Sequence, residues 1–176
     1  MHLAYSVFLC TTASGAGYSL LFWMALAATC GALPGGRVLG LVALACALAL
    51  ITIGLLSSTM HLGRPERAIG AFSQWRSSWL SREGVAAVAT YVPAGLLWLS
   101  WLFYLHSDLF HLIAALAAIG AVVTVYCTGM IYGSLRPIRQ WHKPLVPAFY
   151  LAAAASTGAL LYGLLYSAFG YSSPLP

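Results

Sequence analysis

Five long apolar blocks constrain the fold of this protein most strongly. Each is long enough to cross the hydrocarbon core of a bilayer as a helix, which takes about 20 residues. None contains Asp, Glu, Lys or Arg. Because lipid offers no hydrogen-bond partner to an open backbone, each block is predicted to be a helix. The blocks are, approximately, residues 6–29, 38–60, 84–105, 109–132 and 145–169.

The composition places the chain among integral membrane proteins. Of its 176 residues, 61% are hydrophobic and 6% are charged, whereas a soluble domain is about half apolar and a quarter charged. The Ala and Leu runs lack the alternation of a β-barrel. The first block has no basic segment before it, as a signal peptide would, so we expect a mature helix. We predict an all-α bundle of five transmembrane helices forming one domain over residues 1–176.

Positive charge is concentrated on one side of the predicted bundle. Side B is the side that carries the N-terminus and the loops at 62–83 and 133–144; side A is the opposite side. Seven of the eight basic residues fall on side B and only Arg37 on side A. Basic loops favour the cytoplasm, so the N-terminus and the long charged loop are predicted to be cytoplasmic. If the arginines instead dock a protein partner, the charge pattern has another cause.

The segment STMHLGRPERAIGAFSQWRSSWLSRE, residues 58–83, holds two ionisable groups at the membrane boundary. His61 ends the second helix and Glu83 opens the third. An imidazole exchanges protons near neutral pH, and an ionisable group at membrane depth is a functional candidate by default. Quinone chemistry moves two electrons and two protons, so this pair suits a quinone site. The alternative for Glu83 is an acid in the first helical turn, stabilised by the helix dipole by about 0.3–1 kcal/mol.

The remaining histidines, cysteines and tryptophans have simpler interpretations. His2, His106 and His111 fit structural roles, whereas His142 lies at the side B boundary like His61. No metal site is expected, because the cysteines lack the spacing of metal ligands. The side B tryptophans suit either the interfacial belt or the wall of a quinone site. The cysteines are Cys10, Cys30, Cys46 and Cys127, and those tryptophans are Trp75, Trp79 and Trp141.

Small residues recur at four-residue spacing in the first and last helices. Ala13 and Gly17 form one pair, and Ala155, Ala159 and Gly163 form a longer stripe. Such stripes let helix backbones approach closely. We therefore predict tight helix packing at both stripes.

Two segments resemble the membrane-anchor subunits of dimethyl sulfoxide reductase-type molybdoenzymes, a family that includes the anchor of the sulfite dehydrogenase. The stretch MHLGRPERAIGAF, residues 60–72, is followed by SSWLSRE, residues 77–83, with the spacing of that family. A second similarity covers residues 132–163. The first match is the more specific, because it is rich in charged, Gly and Pro positions, whereas the second is mostly hydropathy.

The resemblance implies an anchor in the bacterial inner membrane that passes electrons between an iron–sulfur subunit and quinone. Substrate chemistry, either sulfite oxidation or dimethyl sulfoxide-type reduction, would belong to a molybdopterin subunit, so the anchor itself has no catalytic residue. The quinone is ubiquinone or menaquinone; no haem and no nucleic-acid partner are expected. The resemblance implies quinone-site roles for His61 and Glu83, with Arg67 serving either the pocket or the iron–sulfur subunit. Arg64 and Trp79 are also expected at this site, Trp79 because a quinone ring packs on a flat apolar wall. The residues expected to dock partners are Arg76, Arg82, Arg136 and Arg139.

Other functions stay open from the sequence alone. Members of this family usually have eight helices, so the chain is expected to be either truncated or a short variant that buries its surfaces against other subunits. His61 and His142 are alternative axial ligands of a b-type haem. A small transporter would carry ionisable groups or broken helices near the bilayer midplane, and the interiors of the five blocks hold no Asp, Glu, Lys, Arg or His. A structural scaffold is the remaining alternative.

Overall fold

The computed structural model describes residues 2–31, 36–59, 70, 72–103 and 107–170. Five long helices and one short 3-10 helix, Phe72–Gln74, account for most of these residues, and no strand occurs within these ranges. All five long helices are long and apolar enough to cross a membrane. The all-α, five-helix prediction is therefore confirmed. The helices are α1 His2–Thr29, α2 Gly36–Thr59, α3 Trp79–Leu102, α4 Asp108–Gly133 and α5 Val146–Ala168.

Helix α3 begins five residues before the predicted apolar block. Ser78 is the N-cap, with extended backbone angles of −118° and 126°, and its hydroxyl accepts from the Ser81 N–H at 3.5 Å. Ser is a favoured cap because its oxygen satisfies an N–H that has no partner inside the helix. Glu83 is therefore the fifth helical residue, and no acid lies in the first turn. The first-turn interpretation of Glu83 is wrong.

Helices α1 and α4 form the centre of the bundle. Helix α1 packs against α2, α4 and α5, while α3 packs chiefly against α4 and to a lesser extent against α2. The core between them contains fully buried residues such as Leu21, Met24, Leu44 and Leu97. Helix α5 lies at the periphery, because only Pro147, Ala154 and Gly158 are buried on it. The fold therefore leaves most of α5 outside the packed core.

The two stripes of small residues behave differently in the structure. A Cβ atom at Gly17 would lie 2.8 Å from the Ala47 carbonyl oxygen, so the predicted close approach of α1 to α2 is confirmed. On α5 the prediction is wrong at Ala159 and Gly163, since Ala159 is exposed and no described atom beyond the backbone of α5 lies within 4 Å of a Cβ at Gly163. Ala155 does meet α1, because its carbonyl oxygen accepts from the Trp23 Nε1–H at 2.8 Å. The close approach uses Gly158 instead, where a Cβ would lie 2.5 Å from the Ser19 backbone.

Candidate functional site

The structure describes part of the predicted quinone site. Glu83 and Trp79 lie within α3. His61, Arg64 and Arg67 lie outside the described residues. The four arginines expected to dock partners, Arg76, Arg82, Arg136 and Arg139, are all described, and only Arg82 is not exposed.

Glu83 reaches across the interface between α3 and α4. Its carboxylate Oε1 accepts a hydrogen bond from the Thr128 hydroxyl at an oxygen–oxygen distance of 2.5 Å. The same hydroxyl lies 3.1 Å from the Thr124 carbonyl oxygen of its own helix. Glu83 is half-buried, and among the described residues no Lys, Arg or His forms an ion pair with it. An acid is thus held inside the wall of the bundle by a hydroxyl rather than by a positive charge.

A partly open cavity of about 300 Å³ lies between α1, α4 and α5. Thr128 lines this cavity and also binds Glu83, so it connects the two. Most of the lining residues carry a hydroxyl group, and two of them, Thr12 and Thr157, are exposed at its rim. The hydroxyl-bearing residues are Thr11, Thr12, Ser14, Tyr18, Thr128, Tyr150 and Thr157. We call this space the hydroxyl cavity.

The hydroxyl cavity offers hydrogen-bond acceptors. Thr12, Ser14 and Thr157 donate to carbonyl oxygens of their own helices at 2.7, 2.6 and 2.8 Å. Their oxygens therefore keep the capacity to accept. Tyr18 is 3% exposed, and its hydroxyl makes no hydrogen bond of normal geometry with a described residue, although it lies near Thr124. A buried hydroxyl normally has a protein partner, and Thr124 is the described residue beside that of Tyr18.

An aromatic stack stands at one wall of this cavity. Tyr150 lines the cavity and stacks on Tyr132, with ring centroids 5.3 Å apart and planes 14° apart. Trp141 packs edge-on against Tyr132 at 5.1 Å. Trp79 takes a different position, because its ring packs against Tyr126 at 6.1 Å rather than lining the cavity. The flat surface beside the cavity is therefore a tyrosine supported by Trp141.

The end of α2 packs against α1 near Cys10. A Cβ atom at Gly54 would lie 3.1 Å from the Cys10 carbonyl oxygen, and the Ser58 side chain approaches the Cys10 thiol. Ser58 precedes His61 by three residues in the sequence. The last described turn before the histidine therefore lies beside α1.

The two described histidine side chains make structural contacts. The His111 Nδ1 atom lies 3.1 Å from the Ala28 carbonyl oxygen and joins the start of α4 to the end of α1. The His142 Nδ1 atom lies 3.0 Å from the Gly133 carbonyl oxygen within the loop between α4 and α5. Within the described ranges, no group of three or more His, Cys, Asp or Glu residues is placed to hold a metal ion.

Arg82 organises the loop that precedes α3. Its Nε donates to the Trp75 carbonyl oxygen at 2.9 Å, and its Nη2 donates to the Arg76 carbonyl oxygen at 2.7 Å. The guanidinium also lies 4.2 Å from the centroid of the Trp79 ring. Charged hydrogen bonds of this kind are stronger than neutral ones, so Arg82 stabilises the loop as well as contributing charge to side B.

The sequence interpretation did not identify Thr128, Tyr18 or Tyr150. Thr and Tyr are ordinary residues in an apolar helix, and only their positions relative to Glu83 make them candidates. One signal was available, because Thr124 and Thr128 are four residues apart and so share one face of a helix. That face is the one that meets Glu83.

Comparison with known proteins agrees with the residues that suggested the family. Residues 1–171 match the family described as DMSO reductase anchor subunit (DmsC). The C subunit of the sulfite dehydrogenase of Allochromatium vinosum is 38% identical over 186 aligned residues, covering 96% of this chain and 56% of that protein. The C polypeptide of the anaerobic dimethyl sulfoxide reductase of Haemophilus influenzae is 31% identical over 120 residues, covering 67% of this chain and 43% of that protein.

These comparisons identify the family of the chain, but they provide no related structure. The chain spans about half the length of the curated relatives that it matches. No solved structure matches it. The family match extends over nearly all of the sequence, including both segments that suggested it. The chain therefore belongs to the DMSO reductase anchor subunit family.

Proposed function

We propose that this chain anchors a molybdopterin oxidoreductase complex in the bacterial inner membrane and exchanges electrons with quinone. The observation that carries the proposal is the Glu83 carboxylate, bound by Thr128 beside the hydroxyl cavity. Quinone reduction or oxidation moves two protons with two electrons, so its site needs a group that exchanges protons between water and lipid. A carboxylate without a described cationic partner suits that task.

The hydroxyl cavity fits the head of a quinone in its chemistry. Its hydroxyl oxygens can accept hydrogen bonds from a quinol. The Tyr150 ring offers a flat face of the kind that aromatic rings pack against. Ubiquinone and menaquinone share these features, so the proposal applies to either one.

His61 completes the proposed proton path. The end of α2 lies beside Cys10 of α1, and His61 follows that end within a few residues. An imidazole there would exchange protons with side B, while Glu83 serves the quinone. Arg67 stays a prediction for the same site from the family motif. Arg64, in the same charged segment, and Trp79, as a flat aromatic wall, also stay predictions for it.

Side B is proposed to dock the soluble subunits. Arg76, Arg136 and Arg139 are exposed there, and complementary charge steers association between proteins. The partners would be an iron–sulfur subunit that delivers or accepts electrons and a molybdopterin subunit that holds the substrate. The named relatives are subunits of a sulfite dehydrogenase and a dimethyl sulfoxide reductase, so we propose one of these two chemistries for the complex.

Quinone-dependent turnover of the assembled complex tests the proposal. We expect His61→Ala and Glu83→Gln each to slow it strongly while the complex still assembles. If both residues serve one quinone, the double variant should be about as slow as the slower single variant, because groups that act as a unit are not additive. Asp108→Asn is the matched control, since Asp108 lies at the start of α4 on side A.

Two results would contradict the shared site. Wild-type turnover in Glu83→Gln would remove the carboxylate from the mechanism. Rate losses that multiply in the double variant would show two independent roles for His61 and Glu83. Turnover should be normalised to assembled complex in each case, so that a loss of stability is not counted as a loss of chemistry.

A further inference from the structure

We propose that the outer groove between α3 and α4 binds an anionic phospholipid, with its phosphate at side B. The headgroup end of this groove is a cavity of about 480 Å³ lined by Trp75, Arg76 and Arg82, together with residues of both helices. We call the whole feature the α3–α4 groove. None of the described residues that line its headgroup end is acidic.

The groove continues along the outer surface of the two helices, where its lining is apolar. A second cavity of about 430 Å³ shares Ala86 and Val123 with the headgroup end and extends to Leu96. Arg82 and Leu96 are 14 positions apart in α3, which is about 21 Å at 1.5 Å per residue. One leaflet of the hydrocarbon core is about 15 Å thick, half of about 30 Å. The groove is therefore long enough to hold an acyl chain through its own leaflet.

The positive charge at the headgroup end is held in place. Two of the five N–H groups of Arg82 bind the Trp75 and Arg76 carbonyl oxygens. Its remaining N–H groups make no hydrogen bond with a described residue. Arg76 lies 5.5 Å from the Trp75 ring centroid. A fixed guanidinium loses little freedom on binding, and its planar fork suits phosphate oxygens.

Charge favours a phospholipid over a quinone in this groove. A quinone ring carries no charge, whereas the groove presents two guanidinium groups and no described acid. Glu83, the neighbour of Arg82 in sequence, is turned to Thr128 instead. The described lining of the α3–α4 groove shares no residue with the hydroxyl cavity. The lipid site is thus independent of the proposed quinone site.

Native mass spectrometry of the full purified protein tests this assignment. The protein is incubated with equal amounts of phosphatidylglycerol and phosphatidylcholine, and the retained lipid is measured. We expect selective retention of phosphatidylglycerol, and about five-fold weaker retention in Arg76→Gln, since a basic residue near a membrane surface contributes about 1 kcal/mol. Val123→Phe should also lower retention by filling the junction of the groove, where Val123 is 44% exposed.

Two matched control variants change charge or side-chain size outside the α3–α4 groove. Arg136→Gln removes a side B charge outside the groove, and Val122→Phe makes the same change at a neighbouring exposed position. Both should retain phosphatidylglycerol as the wild type does, and so should Glu83→Gln. Equal retention of the two lipids, or an equal loss in Arg76→Gln and Arg136→Gln, would overturn the site. Retention of quinone in place of phosphatidylglycerol would overturn it as well.

Discussion

Replacing Thr128 with valine removes the hydroxyl that binds Glu83 and leaves the other residues of the hydroxyl cavity unchanged. Valine has nearly the same shape as threonine, so packing between α3 and α4 should persist. The hydroxyl has one proton, and its shorter distance is to the Glu83 carboxylate, 2.5 Å, rather than to the Thr124 carbonyl oxygen, 3.1 Å. The substitution therefore leaves a half-buried carboxylate without its described side-chain partner.

The expected loss follows from the strength of that bond. A hydrogen bond to a charged group contributes about 1.5–3 kcal/mol. If the bond orients Glu83 toward quinone, its loss should lower kcat/KM for quinone by about 10- to 100-fold, since about 1.4 kcal/mol corresponds to a factor of ten. Thr128→Ser keeps the hydroxyl and should recover most of the rate.

The assay is the oxidation or reduction of a soluble quinone analogue by the assembled complex. Thr29→Val is the control, because Thr29 lies outside the cavity and donates to the Ala25 carbonyl oxygen of its own helix. Thr157→Val removes a cavity hydroxyl that donates to Ala153 rather than to Glu83. An unchanged rate in Thr128→Val beside a slow Glu83→Gln would show that the hydroxyl does not position the carboxylate. An equal loss in Thr157→Val would point to the polarity of the cavity rather than to this one bond.

Two further predictions concern orientation and packing. A cysteine at Ser73, an exposed loop position on side B, should resist an impermeant thiol reagent in intact cells and react in inverted vesicles; labelling in intact cells would place side B outside. Gly158→Ala should lower thermal stability by about 1–3 kcal/mol, because its Cβ would meet the Ser19 backbone at 2.5 Å. Gly163→Ala, on the same helix but in open space, should leave the melting temperature unchanged or slightly higher, and equal losses would refute the close approach.

The five helices were predictable because a membrane leaves a backbone few alternatives. The start of α3 was not, since hydropathy excludes the charged pair Arg82 and Glu83 from an apolar block. In the structure the Ser78 cap adds one turn before that block. Local capping therefore decided a boundary that the apolar pattern misplaced by five residues.

The packing face of α5 shows a second limit of the sequence. Its Ala-rich stretch places small residues on several faces of the helix, because adjacent positions are about 100° apart around the helix axis. The stripe through Ala159 and Gly163 and the position of Gly158 were equally compatible with close packing. Contact with Ser19 of α1 selects Gly158. Spacing predicted that a close approach would occur but could not predict which face would make it.

The candidate site was predictable only through its ionisable residues. Glu83 stood out because few charges occur in this protein, where 6% of residues are charged. Thr128 and Tyr18 carry no charge. They become candidates only because α4 and α1 pack around Glu83. Such neighbours depend on the tertiary structure, so no local pattern could identify all of them.

The turn that begins α3 links the charged loop to the candidate quinone site. Ser78 caps this turn, and Arg82 ties it to the Trp75 and Arg76 carbonyl oxygens. Arg82 and Glu83 are adjacent, so their side chains leave the helix about 100° apart. One therefore holds the loop on side B while the other meets Thr128 inside the bundle. A shift of the loop that rotated this turn would move the carboxylate as well, because a single helical turn carries both.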